Sequence, residues 1–137
     1  MKRQRVVTVA TNGKGLVDVT REVDAVVRDS GVDVGVCVVF IQHTSASLVV
    51  QENADSAVLR DLERWLDRLA PEEARYEHDA EGPDDMPAHL RAAVTKTSET
   101  LPVTGGRLAL GTWQALYVWE HRRAPHERRL VVTVLGA

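Results

Sequence analysis

Cysteine is almost absent from this sequence: Cys37 stands alone, which excludes an internal disulfide framework and suits a reducing compartment. A surplus of positive charge is also lacking. The formal net charge is −3 and the sequence pI is about 5.9, so no global pull towards nucleic acid or an anionic membrane is expected. Long apolar runs are missing too. Met1-Lys2-Arg3-Gln4-Arg5 is basic, yet only Val6 to Ala10 follow before the polar turn Thr11-Asn12-Gly13-Lys14-Gly15. That is too short for a signal peptide or a membrane span, and a cytoplasmic protein is expected. Internal repeats, low-complexity tracts and interdomain linkers are likewise absent. What remains, 137 residues with 44% apolar and 27% charged content, describes one globular domain over residues 1–137 with a real core.

Arg5 to Thr11 reads as a strand closed by Asn12-Gly13. Thr20 is placed to cap a short helix with Val23, Val26 and Val27 on one face, ended by Gly31. Val34 to Gln42 reads as a buried strand whose pleat puts Cys37, Val39, Ile41 and His43 on one side. Cys37 is thus a buried, inert thiol. Ser47 to Gln51 forms a second strand. Asn53 is expected to cap the clearest helix, with Val58, Leu62, Trp65, Leu66 and Leu69 on one stripe, stopped by Pro71. Glu72 to Asp85 is a long connection with seven carboxylates against the single Arg75. Pro87 suits the first turn of a helix reaching about Thr95. Three strands follow, near Glu99–Val103, Arg107–Glu120 with a break at Gly111, and Arg128–Leu135. The order β-α-β-β-α-α-β-β-β predicts an α+β domain, mostly antiparallel sheet with three helices.

Five histidines are the chemical content: His43, His78, His89, His121 and His126. None shows the local spacing of a zinc finger or of His-Glu-x-x-His. His43 ends a strand, His78 lies in the acidic connection and His89 in the helix after it. Two readings stand: the three converge on a divalent metal at a sheet edge, or each satisfies a backbone group independently. Asp79, Asp84 and Asp85 orient imidazoles or serve as oxygen ligands, whereas Glu72, Glu73, Glu77 and Glu81 read as solvated. His43-Thr44-Ser45-Ala46-Ser47 lacks the Gly-x-Ser-x-Gly elbow of a serine hydrolase. Its hydroxyls suit either a phosphate oxygen or their own turn. Trp113, Ala115, Tyr117 and Trp119 share one strand face and read as core or interface. Gln114 and Glu120 are the polar exceptions, and a buried Glu120 needs His121, Arg122 or Arg107 as partner. Of the arginines at 122–129, Arg122 and Arg129 suit anionic groups, with Arg123 and Arg128 solvated.

Ser98, Leu101, Val103, Gly106 and Gly111-Thr112-Trp113-Gln114 carry more than composition does. With Gln42 to Leu48, Tyr76-Glu77-His78-Asp79 and Asp84-Asp85-Met86-Pro87-Ala88-His89, they make the chain resemble the YjbQ-like (UPF0047) family over nearly its whole length. That family is also labelled secondary thiamine-phosphate synthase. The resemblance implies a YjbQ-like fold assembled as a homotrimer. It also implies the joining of hydroxymethylpyrimidine diphosphate to thiazole phosphate with loss of pyrophosphate. On it, His43, His78 and His89 hold a divalent metal (Zn or Mg). Asp85, with Glu120 and His121 of a family-like Glu-His-Arg, supplies the catalytic candidates. Ser45, Ser47, Arg107 and Thr112 meet phosphate oxygens of a small phosphorylated metabolite, and Gln114 touches the ligand. Ala115 departs from the family, where Gly is usual after Trp-Gln. A metal-dependent phosphohydrolase and a non-catalytic metabolite- or metal-binding trimer are the alternatives.

Overall fold

A computed structural model describes residues 1–137. Its elements, in order, are β1 (Lys2–Thr11), β2 (Gly15–Asp18), α1 (Thr20–Ser30), β3 (Gly35–Ile41), β4 (Ala46–Glu52) and α2 (Ser56–Leu69). Then come α3 (Asp85–Val94), β5 (Ser98–Thr104), β6 (Arg107–Leu108), β7 (Gln114–Glu120) and β8 (His126–Gly136). The strands form a five-stranded sheet, β1-β8-β3-β5-β6, and a three-stranded sheet, β2-β7-β4. Every named pairing is antiparallel, so the α+β expectation holds.

The alternation read from β3 sets the core. Cys37, Val39 and Ile41 face inward beside Val134, Val132 and Leu130 of β8. Leu48, Leu116 and Val118 of the smaller sheet and Val23, Val26 and Val27 of α1 join the same cluster. Each such aliphatic side chain contributes roughly 1.5–3 kcal/mol when fully buried. Burial pushes the Cys37 thiol up to about 12, with the charge of Asp24 adding to the effect, which keeps it protonated and inert. Gly35 and Gly136 mark the closest approach of two strands. A Cβ on Gly35 would lie 2.0 Å from the Leu135 carbonyl oxygen, and one on Gly136 2.3 Å from that of Val34.

Several local expectations are corrected. Residues 15–18 are a strand, β2, pairing with Val118 and its neighbours rather than extending a turn. Thr20 does not cap α1; its hydroxyl accepts the Leu116 N–H at 2.9 Å and ties the helix to β7. Asp55, not Asn53, caps α2, its carboxylate accepting the Ala57 N–H at 2.9 Å. The amide of Asn53 instead donates to the carbonyl of Thr112 at 3.0 Å. Arg107–Glu120 is divided between two sheets, β6 in one and β7 in the other. Of the α2 stripe only Leu66 is fully buried, and Trp65 and Leu69 are about half exposed at 48% and 52%. The helix lies over a sheet of three strands, too narrow to cover the whole stripe. Both faces of the central strand β7 are buried. Leu116 and Val118 meet the main core, while Trp119 faces α2 and donates to Glu63.

Candidate metal centre

The connection 70–84 brings His78 back over the first turn of α3. Asp85 and His89 stand one helical turn apart, which puts both side chains on one face. The His78 Nε2 lies 2.6 Å from Asp85 Oδ2, and His89 Nε2 lies 3.3 Å from the same oxygen. Glu81 Oε2 is 3.3 Å from His78 Nε2. One ligand atom from each of His78, Glu81, Asp85 and His89 falls within 4.8 Å of the others.

Hydrogen bonding fixes one ring. His89 Nδ1 is 3.0 Å from the Thr44 carbonyl oxygen, which can only accept. Nδ1 therefore carries the proton, and in the neutral ring Nε2 presents its lone pair to Asp85. At that position either a second ring proton bonds Asp85 or a cation sits between the two. An imidazole anchored to a carbonyl through its other nitrogen is the usual support of a metal-ligating histidine. Metal–ligand bonds of about 2.0–2.2 Å leave neighbouring donor atoms roughly 3 Å apart, so the spacing of this group fits a single ion. Two imidazoles with carboxylates favour zinc or another first-row transition metal over magnesium.

The carboxylate is held from behind. Arg122 Nη1 donates to Asp85 Oδ1 at 2.6 Å, while its Nε donates to Asp84 Oδ2 at 3.0 Å. Burial works against ionising Asp85, but bonds from His78 and the nearby positive charges hold its pKa below the usual carboxylate range. The same bond to Asp85 raises the pKa of His78.

The other predicted site residues are dispersed. His43 lies outside the metal group, with Nε2 accepting the Arg129 N–H at 2.8 Å and Nδ1 facing the Arg128 guanidinium at 3.3 Å. Burial and the Arg128 charge lower its pKa. It does share a small 230 Å³ groove with Thr44 and His89. Glu120 is fully buried, and its side-chain partners are Arg128 and Thr11: Arg128 Nε donates at 2.7 Å and the Thr11 hydroxyl at 2.6 Å. His121 and Arg122 reach it through their backbone N–H groups only, at 3.0 and 3.1 Å, and Arg107 not at all. Burial opposes ionisation of Glu120, but these donors lower its pKa. Arg128 is thus buried, not solvated, and also donates to the Ser45 hydroxyl at 3.0 Å. His121 is buried beside Ser47, its Nε2 2.9 Å from the hydroxyl. Burial, then the Arg91 charge, lowers its pKa to about 3. Ser47 is consequently closed off from any ligand.

Arg107 donates to Asp24 of α1 at 2.7 Å, far from the histidines in the fold. Thr112 and Gln114 sit in the turn beside Asn53, where Gln114 Oε1 accepts the Gly111 N–H at 2.8 Å. Gln114 and Glu120 occupy opposite ends of β7, roughly 20 Å apart at the usual rise per residue. Ala115 pairs with Gln51 in the middle of the small sheet, away from the cluster. Glu81, read as solvated, is exposed, yet one of its carboxylate oxygens also lies in this group, and Asp85 touches both imidazoles. The Asp85/His89 helical spacing was a legible signal for this; the loop contact of Glu81 had none.

The architecture is a two-sheet α+β sandwich carrying a histidine–carboxylate cluster at one end. The chain belongs to the YjbQ-like (UPF0047) family: the model of the UPF0047 protein YjbQ-like family matches residues 5–137. The UPF0047 protein sll1880 of Synechocystis is 52% identical over 136 residues, covering 98% of this chain and 92% of that one. The YjbQ protein of Escherichia coli O157:H7 is 40% identical, with 97% of each chain covered. A solved YbjQ-like protein of unknown function from Sulfolobus solfataricus superposes with a TM-score of 0.88 at 25% identity over the full length of both chains. A yjbq/upf0047 family protein from Clostridium acetobutylicum gives 0.85 at 34% identity, covering 97% of this chain and 99% of that one. No helix is long and apolar enough to cross a membrane.

Proposed function

We propose that the chain is a metal-dependent enzyme for a small phosphorylated metabolite, with His78, Asp85 and His89 as ligands and Glu81 beside them. Joining hydroxymethylpyrimidine diphosphate to thiazole phosphate is the reaction that the sequence resemblance supplies. The observation that carries the metal reading is the convergence of His78, Glu81, Asp85 and His89, one ligand atom of each lying within 4.8 Å of the others. A bound divalent ion supplies Lewis-acid stabilisation of phosphoryl charge. The chain's own residues do the rest. The Thr44 carbonyl orients His89, Arg122 fixes Asp85, and neutral His43 borders the groove next to His89 as a proton acceptor once its bond to Arg129 opens.

A second reading, a single-substrate metal-dependent phosphohydrolase, is favoured by one fact. Arg107 and Thr112, expected to meet phosphate oxygens, and Gln114, expected to touch the ligand, lie elsewhere in the fold. The two readings separate on product analysis. The transferase releases pyrophosphate only when both substrates are present, whereas the hydrolase releases phosphate from one.

The metal is tested first. Purified wild type carries about one equivalent of zinc or a related ion per chain, and His89→Ala carries almost none. Wild type without metal after zinc dialysis overturns the site. We propose also that the protein works as a cytoplasmic homotrimer. The outer face of the large sheet supports this. Val6, Val131 and Phe40 form one cross-strand row and Leu135 and Val36 another, with Val6, Phe40, Leu135 and Val36 exposed. The two rows flank a mixed row of Gln4, Thr133 and Val38, and exposed apolar rows of this kind on a sheet face are an interface signature. Light scattering of the purified chain gives the mass; a monomer at micromolar concentration overturns the trimer.

A further inference from the structure

Strand β2 is an edge strand: it pairs with β7 and with no strand on its other side. The Val19 N–H donates to the Leu116 carbonyl at 2.9 Å, which sets the alternation of that ladder. Gly15 and Val17 turn their backbone groups towards β7, while the N–H and C=O groups of Leu16 and Asp18 point away from it. None of these outward groups has a hydrogen-bond partner elsewhere in the chain. Between this free edge and α2 runs a groove of about 440 Å³, lined among others by Lys14, Leu16, Leu59, Arg60, Glu63 and Arg64. Leu16 stands opposite Trp119. Its side chain therefore lies on the α2 face of the small sheet and, with Leu59, makes an apolar floor.

The rim of the groove is cationic. Lys14, Arg60 and Arg64 line it against one carboxylate, Glu63, and that carboxylate already accepts the Trp119 indole N–H. Arg64 pairs with Asp61, and Lys14 approaches Asp67 at 3.5 Å, both acids outside the lining. Arg60 bonds only the neutral Ser56 hydroxyl, at 2.8 Å. At the far end of the edge the Asp18 carboxylate is turned back onto the Thr20 N–H at 2.9 Å.

We infer that this groove takes an extended peptide of a partner protein, added to β2 as a further strand. Its apolar side chains lie on Leu16 and Leu59, and its acidic ones meet Arg60 and Arg64. A free strand edge beside a helix selects a polypeptide: the outward groups of Leu16 and Asp18 repeat at the spacing of another extended backbone, and the groove sorts every second side chain. Charge then selects among peptides, because the lining carries more cations than carboxylates.

The probe is a fluorescein-labelled peptide, Glu-Thr-Val-Thr-Glu-Thr-Val-Thr, which puts Glu and Val on one face of a strand and Thr on the other. Wild type binds it saturably by fluorescence anisotropy, and NMR-detected hydrogen exchange slows at the Leu16 and Asp18 amides. The same peptide N-methylated at alternate residues, on the edge that meets β2, loses binding. A lysine-for-glutamate version, and separately Arg60→Glu, each weaken binding roughly fivefold or more, since an exposed charge pair is reversed. Absence of saturable binding, unchanged exchange at Leu16 and Asp18 under saturating peptide, or equal binding by Arg60→Glu overturns the assignment. So does slow exchange of those two amides in the free protein, which would mean that a second copy of the chain already covers the edge.

Discussion

Two polar clusters lie at the same end of this sandwich and are built on opposite plans. In the inner one, Glu120 receives donors from Thr11, Arg128 and the backbone N–H groups of His121 and Arg122. Its charges are matched, its acceptors are filled, and Glu120 and Arg128 are sealed from solvent. In the outer cluster His78, Glu81 and His89 crowd one point around Asp85, with the imidazoles and Glu81 open to solvent. Both are rich in the residue types that suggest chemistry. The one open atom beside the inner cluster, His121 Nδ1, is sealed in the interior, whereas the outer group gathers its imidazoles and carboxylates at the surface, and this separates a structural polar cluster from a candidate site.

The comparison breaks first, if it breaks, at Glu120. Glu120→Ala leaves Arg128 as an uncompensated buried charge, and unfolding free energy falls by about 3–5 kcal/mol in urea titration. A loss below about 1 kcal/mol means the inner cluster is not closed. His121 gives the next effect. Its folded pKa of about 3 lies under the ordinary value near 6.5, so between these the unfolded chain binds a proton that the folded chain refuses. Stability is then complete at neutral pH and drains away as the pH falls from about 6.5 towards 3, by on the order of a few kcal/mol. His121→Phe should flatten that slope; an unchanged profile rejects the buried neutral imidazole.

Arg107→Gln comes third. It removes an ion pair whose arginine is well exposed, so screening limits the loss to about 1 kcal/mol or less, and zinc content remains at the wild-type level. A large loss of zinc would return Arg107 to the site. Smallest in stability, and sharpest in function, is His89→Ala. The half-exposed imidazole costs the fold within about 0.5 kcal/mol, yet metal affinity drops at least 10- to 100-fold. Destabilisation on the scale of Glu120→Ala would make the outer cluster structural as well.

Much of this was legible in the residues, and the misses have physical causes. The period-two pattern of β3 and the helical spacing of Val23, Val26 and Val27 identified core faces correctly, because local geometry sets which side chains share a face. Arg128 was misread as solvated. Its partner, Glu120 across a hairpin, is set by how the chain folds back rather than by charge or spacing, and the same holds for the contact of exposed Glu81 with His78. Asn53 and Asp55 both suit a helix cap, and the turn at Thr112–Gln114 claimed the first, leaving the second to cap.

Sequence by itself determined the α+β class, the family and the aliphatic core. Those follow from periodicity and motif order, which are properties of the chain read in one dimension. Only the tertiary structure decided that His78 and His89 meet over Asp85 and Glu81, while Arg128 and Arg129 occupy His43. Only the fold, likewise, withdrew Ser47, Glu120 and His121 into the interior. The reason is competition for hydrogen bonds: each donor and acceptor binds whichever group the fold brings within about 3 Å, and that distance is not written in sequence separation.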